Sequence, residues 1–223
     1  MRFSAAAAIF SGILFILYCA AAQAAPQATR NLLVVGDSLS AAYKIPVEAG
    51  WVHLLAGRLA RNGYDYRVIN ASIPGDTTAG GLSRLPAALA RYYPAIVVIE
   101  LGGNDGLQGL PLDQMYANLA RMVALAQKSG AKALLIGVRM PPNYGPVYTT
   151  RFQAVYKDVA AAQGVPLAPE LLDGVATRPD LMQADGLHPL AKAEPKLLGN
   201  VWPALVPLLA KPAIESPATE PLR

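Results

Sequence analysis

The sequence predicts an α/β fold: a parallel sheet of five strands with helices on both faces. Three observations predict it. Short runs rich in β-branched residues alternate strictly with amphipathic helical runs, the order of a sheet built from crossover units. The first and third strand runs are almost wholly apolar, as expected where both faces of a sheet are covered. No internal repeat or inter-domain linker interrupts the alternation, and 223 residues suit one compact domain.

The first strand is expected over residues 31–35, ending at Gly36. Trp51, Leu54, Leu55 and Leu59 then recur at helical spacing, and Asn62-Gly63 supplies a stop. Residues 66–70 form the second strand. A helix starting near Thr78 runs towards Tyr92, where Pro94 ends it, and residues 95–100 form the third strand. Leu112, Met115, Tyr116, Leu119, Met122, Val123 and Ala126 mark one stripe of a long helix closed by Gly130. Residues 132–138 make the fourth strand. Phe152, Val155, Tyr156 and Val159 mark the next helix, closed by Gly164, and residues 165–167 form a short fifth strand. The last helix lies between about residues 190 and 209, made irregular by Pro195, Pro203 and Pro207. Trp51 and Trp202 are expected in the core.

Hydrophobic residues make up 53% of the chain and charged ones 15%, which excludes a disordered protein and allows a large core. The net charge of +4 comes from scattered basic residues, with no dense Lys/Arg run and no aromatic–basic interleaving, so no nucleic-acid partner is expected. Residues 1–24 read as a signal peptide. Arg2 supplies positive charge, an apolar stretch covers residues 5–22, and Ala22-Gln23-Ala24 has the small-x-small form of a cleavage site. The rival is an uncleaved anchor, since the stretch approaches spanning length; Ser11, Gly12 and the cleavage site favour processing. The expectation is a periplasmic or secreted protein with no membrane span after processing. Residues 25–210 then form the domain, and residues 211–223, with three prolines and no apolar periodicity, form a flexible tail. Cys19, the only cysteine, lies in the signal segment, and Tyr18 before it is too large for a lipoprotein site. With no thiol in the mature chain and only two histidines, neither a disulfide nor a multi-ligand zinc site is expected, and no cofactor is called for.

In parallel α/β sheets ligands bind beyond the carboxyl ends of the strands. That rule points to Gly36-Asp37-Ser38 and to the segments after Asn70, Glu100 and Val138, where the unusual polar residues sit. Ser38 needs a base within hydrogen-bond reach to become a nucleophile, and histidine suits that task. His53 lies opposite the apolar stripe of its helix and reads as solvent-facing. His188 lies in Asp185-Gly-Leu-His188, where a carboxylate three positions earlier, across a glycine turn, can accept the Nδ1 hydrogen and leave Nε2 towards Ser38. Acyl transfer also needs neutral donors for an oxyanion. The candidates are the N–H groups of Ser38 and Gly75 and the side-chain amide of Asn104. Each residue has a plainer reading: Ser38 and Asp185 as helix N-caps, Gly75 and Asn104 as turn residues. Asp37 and Asp105 read as holding their loops by accepting backbone N–H groups. Leu107, Met140, Tyr144 and Leu187 either line an acyl pocket or pack over the sheet edge.

Gly36-Asp-Ser-Leu39, Gly75, the Gly-x-Asn-Asp string at residues 102–105 and the Asp-x-x-His string at residues 185–188 resemble the four blocks of the SGNH (GDSL) hydrolases, in that family's order. The resemblance covers residues 31–209. It is nearest to the periplasmic acyl-CoA thioesterase/lysophospholipase/arylesterase group, through Gly-Asp-Ser-Leu-Ser, Glu-Leu-Gly-Gly-Asn-Asp-Gly and Asn143-Tyr-Gly145. It implies a flavodoxin-like three-layer αβα sandwich. It also implies a Ser38/His188/Asp185 triad with an oxyanion hole of Ser38, Gly75 and Asn104, hydrolysing small ester or thioester substrates, with a monomer expected. Pro74 before Gly75 is a departure that would stiffen the loop without removing its donor. A carbohydrate O-acetyl esterase is the rival enzyme; the apolar loops after Val138 and around Leu107 favour acyl or aryl esters. A flavodoxin-like phosphoacceptor or flavin-binding module is the non-catalytic rival, opposed by the lack of a paired acidic cluster at Asp37.

Overall fold

The computed structural model describes residues 29–210; residues 1–28 and 211–223, on which the expected signal peptide and tail fall, lie outside the described residues. Five parallel strands form one sheet in the order β2-β1-β3-β4-β5, made of β1 (Arg30–Gly36), β2 (Tyr66–Asn70), β3 (Ile96–Glu100), β4 (Lys132–Ile136) and β5 (Leu167–Ala168). The order reverses between β1 and β3, as in flavodoxin-like sheets, so a crevice opens beyond the ends of those two strands. In register, Gly36 sits beside Glu100 at that edge.

The continuous apolar strands have a direct cause. Alternate residues serve opposite faces. Leu32, Val34, Ile96, Val98, Leu134 and Ile136 pack under α1 (Trp51–Arg61) and α6 (Glu194–Leu205), against Trp51, Leu55, Leu59, Leu197 and Val201. Leu33, Val35, Val97, Ile99 and Leu135 face the other way. They meet α2 (Thr78–Tyr92), α4 (Leu112–Lys128) and α5 (Pro146–Gln163) through Leu85, Met115, Leu119, Met122, Phe152 and Val159. The result is the expected three-layer sandwich. Among the described residues no helix is long and apolar enough to cross a membrane.

Several details depart from the expectations. The fourth strand stops at Ile136, and the fifth lies at Leu167–Ala168, one residue beyond its predicted span. A one-turn helix, α3 (Gly103–Leu107), follows Gly102, whose φ of 117° suits glycine. The last helical region is three pieces: 3₁₀ turns at Ala191–Ala193 and Val206–Leu208 flank α6, with Pro195 in its first turn. Trp202 is half-buried rather than core; Arg58 lies 4.2 Å over its ring and Tyr64 meets its edge. His53 is exposed. Glu194 is buried and accepts the Trp51 N–H at 2.7 Å, so α6 caps α1. Burial raises its carboxyl to about 7 against that hydrogen bond.

Candidate active site

The turn after β1 brings Ser38 to the sheet edge. The Asp37 side chain accepts the Leu39 N–H at 3.0 Å, and the Ser40 carbonyl accepts the Asn70 amide at 2.8 Å. Ser38 is half-buried, its Oγ 2.8 Å from Nε2 of His188. Nδ1 of His188 lies 2.8 Å from Oδ2 of Asp185, whose Oδ1 accepts the N–H groups of Leu187 and His188 at 3.0 Å each. Burial pushes the Asp185 carboxyl up, but the Leu187 N–H, the His188 ring and the His188 N–H outweigh it and bring it to about 2. An ionised carboxylate can only accept, so Nδ1 carries the hydrogen and Nε2 is left to accept from Ser38 Oγ–H. A short ribbon holds this loop: Gln183 N–H donates to the His188 carbonyl at 2.7 Å, and Met182 bridges Pro189. The Gln183 amide ties the ribbon to the Ser38 side through the Tyr43 carbonyl at 2.9 Å, and the Tyr43 ring lies 4.5 Å from the imidazole.

The donors assemble on the other side. Gly75, at φ 80°, is exposed in the loop after β2, and neither its N–H nor that of Ser38 has a protein acceptor among the described residues. No atom lies within 4 Å of where a Gly75 Cβ would stand, so the glycine answers to backbone conformation and open approach. Asn104, on α3, donates to Oδ2 of Asp37 at 3.1 Å and to the Asp76 carbonyl at 2.9 Å. Its amide thus spans the residue before Ser38 and the residue after Gly75. Both amide hydrogens have partners here, so serving an anion means exchanging one of them.

Beneath these loops lies a buried network the sequence did not reveal. Asp105 accepts the Thr78 N–H at 2.8 Å and the Thr78 hydroxyl at 2.5 Å, and Asn118 of α4 donates to that hydroxyl at 3.0 Å. Arg84 of α2 binds Asp76 at 2.7 Å, the Ala71 carbonyl, and the Gly36 carbonyl at 3.2 Å. It fastens the Gly75 loop to the Ser38 turn. Asp37 accepts a backbone N–H of its own loop, as expected, whereas the one Asp105 accepts belongs to Thr78 at the start of α2.

The four residues considered for an acyl pocket divide. Met140 is 3% exposed and packed among Gly106 and Phe152 in the core under α5, so it offers no surface to a ligand. Leu107 is half-buried, and its carbonyl accepts the Tyr144 hydroxyl at 3.2 Å. Tyr144 and Leu187 are exposed. Val47 and Ile73, which sequence reasoning missed, add exposed apolar surface to the loops after β1 and β2.

A hydroxyl, imidazole and carboxylate in one hydrogen-bonded line at the carboxyl edge of a parallel sheet define a serine hydrolase of the α/β class. The model of the GDSL-like lipase/acylhydrolase family matches residues 34–194, and the chain belongs to that family. Over 182 residues it is 58% identical to the esterase TesA of Pseudomonas aeruginosa, covering 82% of this chain and 90% of that protein. A crystal structure of TesA, also 58% identical, superposes with a TM-score of 0.80 over 81% of this chain and all of the other. The arylesterase of Vibrio mimicus is 46% identical over 193 residues (86% and 96% coverage). Thioesterase 1/protease 1/lysophospholipase L1 of Escherichia coli is 40% identical over 182 residues (82% and 86%).

Proposed function

We propose that the protein hydrolyses carboxylic esters and thioesters through an acyl-enzyme on Ser38. The observation that carries this reading is the line from Ser38 Oγ through His188 to Asp185, with two contacts of 2.8 Å. Ser38 Oγ attacks the acyl carbonyl carbon while Nε2 takes its proton. The N–H groups of Ser38 and Gly75 and the Asn104 amide, which gives up the Asp76 carbonyl, receive the oxyanion. The bond to the leaving oxygen or sulfur breaks as Nε2–H protonates it. Water then repeats the sequence: its proton goes to Nε2, the Oγ–acyl bond breaks, Oγ regains a proton and the acid departs.

Substrate range follows from the relatives' names, which cover aryl esters, thioesters and lysophospholipids; none is a carbohydrate esterase. Leu107, Tyr144 and Leu187 are proposed to flank the acyl chain. One chain supplies every group of the site, so the working unit is proposed to be a monomer. Residues 1–24 are proposed to direct export to the periplasm or beyond, and a mature N-terminus at Ala25 by N-terminal sequencing supports this. An organophosphonate should label Ser38 stoichiometrically and abolish p-nitrophenyl ester hydrolysis. A fully active Ser38→Ala protein would refute the mechanism.

A further inference from the structure

Two buried carboxyl groups lie under the Ser38 turn, and the hydrolytic steps use neither. Glu100 ends β3 fully buried; Asp37 is 2% exposed. Oε2 of Glu100 accepts the Ser40 hydroxyl at 2.7 Å and, more weakly, the Asp37 N–H at 3.4 Å. Among the described residues its Oε1 has no hydrogen-bond partner, and no ion pair includes either group. Asp37 is better supplied, with the Leu39 N–H on Oδ1 and the Asn104 amide on Oδ2. Gly36 makes room for the arrangement: a Cβ there would fall 2.7 Å from Ser40 Oγ and 2.9 Å from Glu100 Oε2.

Adjacent buried carboxyls cannot both ionise without a large cost, and the distribution of donors chooses between them. Asp37, with N–H groups on both oxygens, suits the charge. Glu100, with one bare oxygen, suits the proton. We propose that Glu100 is a proton-bearing positioning residue: as a neutral acid it anchors the Ser38 turn through Ser40, leaving Asp37 as the single buried charge that aims the Asn104 amide. This deepens the esterase reading and rests on it. Burial, then the Asp37 charge, pushes Glu100 well above the usual carboxylate range. Burial raises Asp37 to about 6, against the Leu39 N–H, His188 and Asn104, with Asp76 adding to the rise. The other groups facing the pair are Arg84 on Asp76, Asp105 of α3 and Tyr156 of α5.

The test compares E100Q, which keeps a neutral hydrogen-bonding head, with E100A and D37N. Infrared difference spectra at pH 7.5 should show a protonated-carboxyl C=O stretch in the wild type that E100Q lacks. That readout does not depend on Ser38 chemistry, so it separates failure of this proposal from failure of the esterase reading. E100Q should keep kcat within about threefold while E100A loses about 10²-fold at similar KM, the scale of a misaimed group. Phosphonate titration of Ser38 counts folded sites in each variant. In D37N the acid limb of log kcat/KM should lose the step near pH 6 that protonation of Asp37 gives the wild type. Absence of the C=O band, an E100Q loss matching that of E100A, or an unchanged acid limb in D37N would overturn the proposal.

Discussion

The two sides of the candidate site are held by opposite means. Asp185 and His188 sit three residues apart on an exposed loop, and the Asp185 carboxylate both caps that loop and grips the imidazole. The geometry there is local. The donor side is the reverse: Asn104, Asp37, Asp76, Arg84 and the Thr78–Asp105–Asn118 chain are drawn from β1, α2, α3 and α4 and their loops. A proton-transfer pair tolerates adjustment during a reaction, whereas donors for a developing anion act best when fixed in advance. The half proposed to need preorganisation is the half tied down by buried and half-buried contacts between separate elements.

That contrast can be broken at either end. His188→Ala removes the base and should lower kcat by ~10⁴-fold or more in steady-state ester assays, with little change in melting temperature. Asp185→Asn should cost about 10³–10⁴-fold through the wrong tautomer, again at near-normal stability because the loop is exposed. Asn104→Ala should cost about 10²–10³-fold in kcat; a near-normal rate would remove Asn104 from the oxyanion site. Thr78→Val removes the hydroxyl that donates to Asp105 and accepts from the Asn118 amide, leaving Asp105 only the backbone N–H of residue 78. It should lower stability by about 1–3 kcal/mol in urea unfolding and kcat by only ~10-fold, the first variant here to move both.

The mildest test lies away from the site. The Glu194 carboxyl is raised to about 7 in the fold from an ordinary 4.5, so its neutral form is the one the fold favours. Its contribution is fully present below about pH 4.5 and lost as pH rises through about 7. Glu194→Gln, which can still accept the Trp51 N–H, should match the wild type at pH 4.5. It should be more stable at pH 8, by ~3 kcal/mol at most, with ester turnover unaffected. Equal unfolding curves at pH 8 would show that Glu194 ionises without cost.

Much of this was legible in the chain. The strand positions were readable to within a residue or two because burial on both faces leaves long apolar runs, and the helical stripes because one face of each helix is core. Ser38, Gly75 and Asn104 stood out because each follows a different strand at the same edge. Less was legible wherever contact outran sequence spacing. Thr78 meets Asp105 across 27 residues and Asn118 across 40, and nothing in the local pattern of any of them marks the contact. Met140, which follows β4, read equally as pocket lining or as packing over the sheet edge, and the turn carries its side chain into the core. Trp202 looked like core by its type, and its helix leaves it half out.

The sequence by itself determined the layered architecture and the chemical inventory, because hydrophobic periodicity and residue type are local properties that survive any arrangement of the whole. The tertiary structure alone decided which oxygen faces which nitrogen. It brought the Ser38 hydroxyl within 2.8 Å of an imidazole 150 residues away, and it put Glu100 out of contact with bulk solvent. Burial and distance belong to the packed chain, and they set both the protonation of a carboxyl and the aim of an amide.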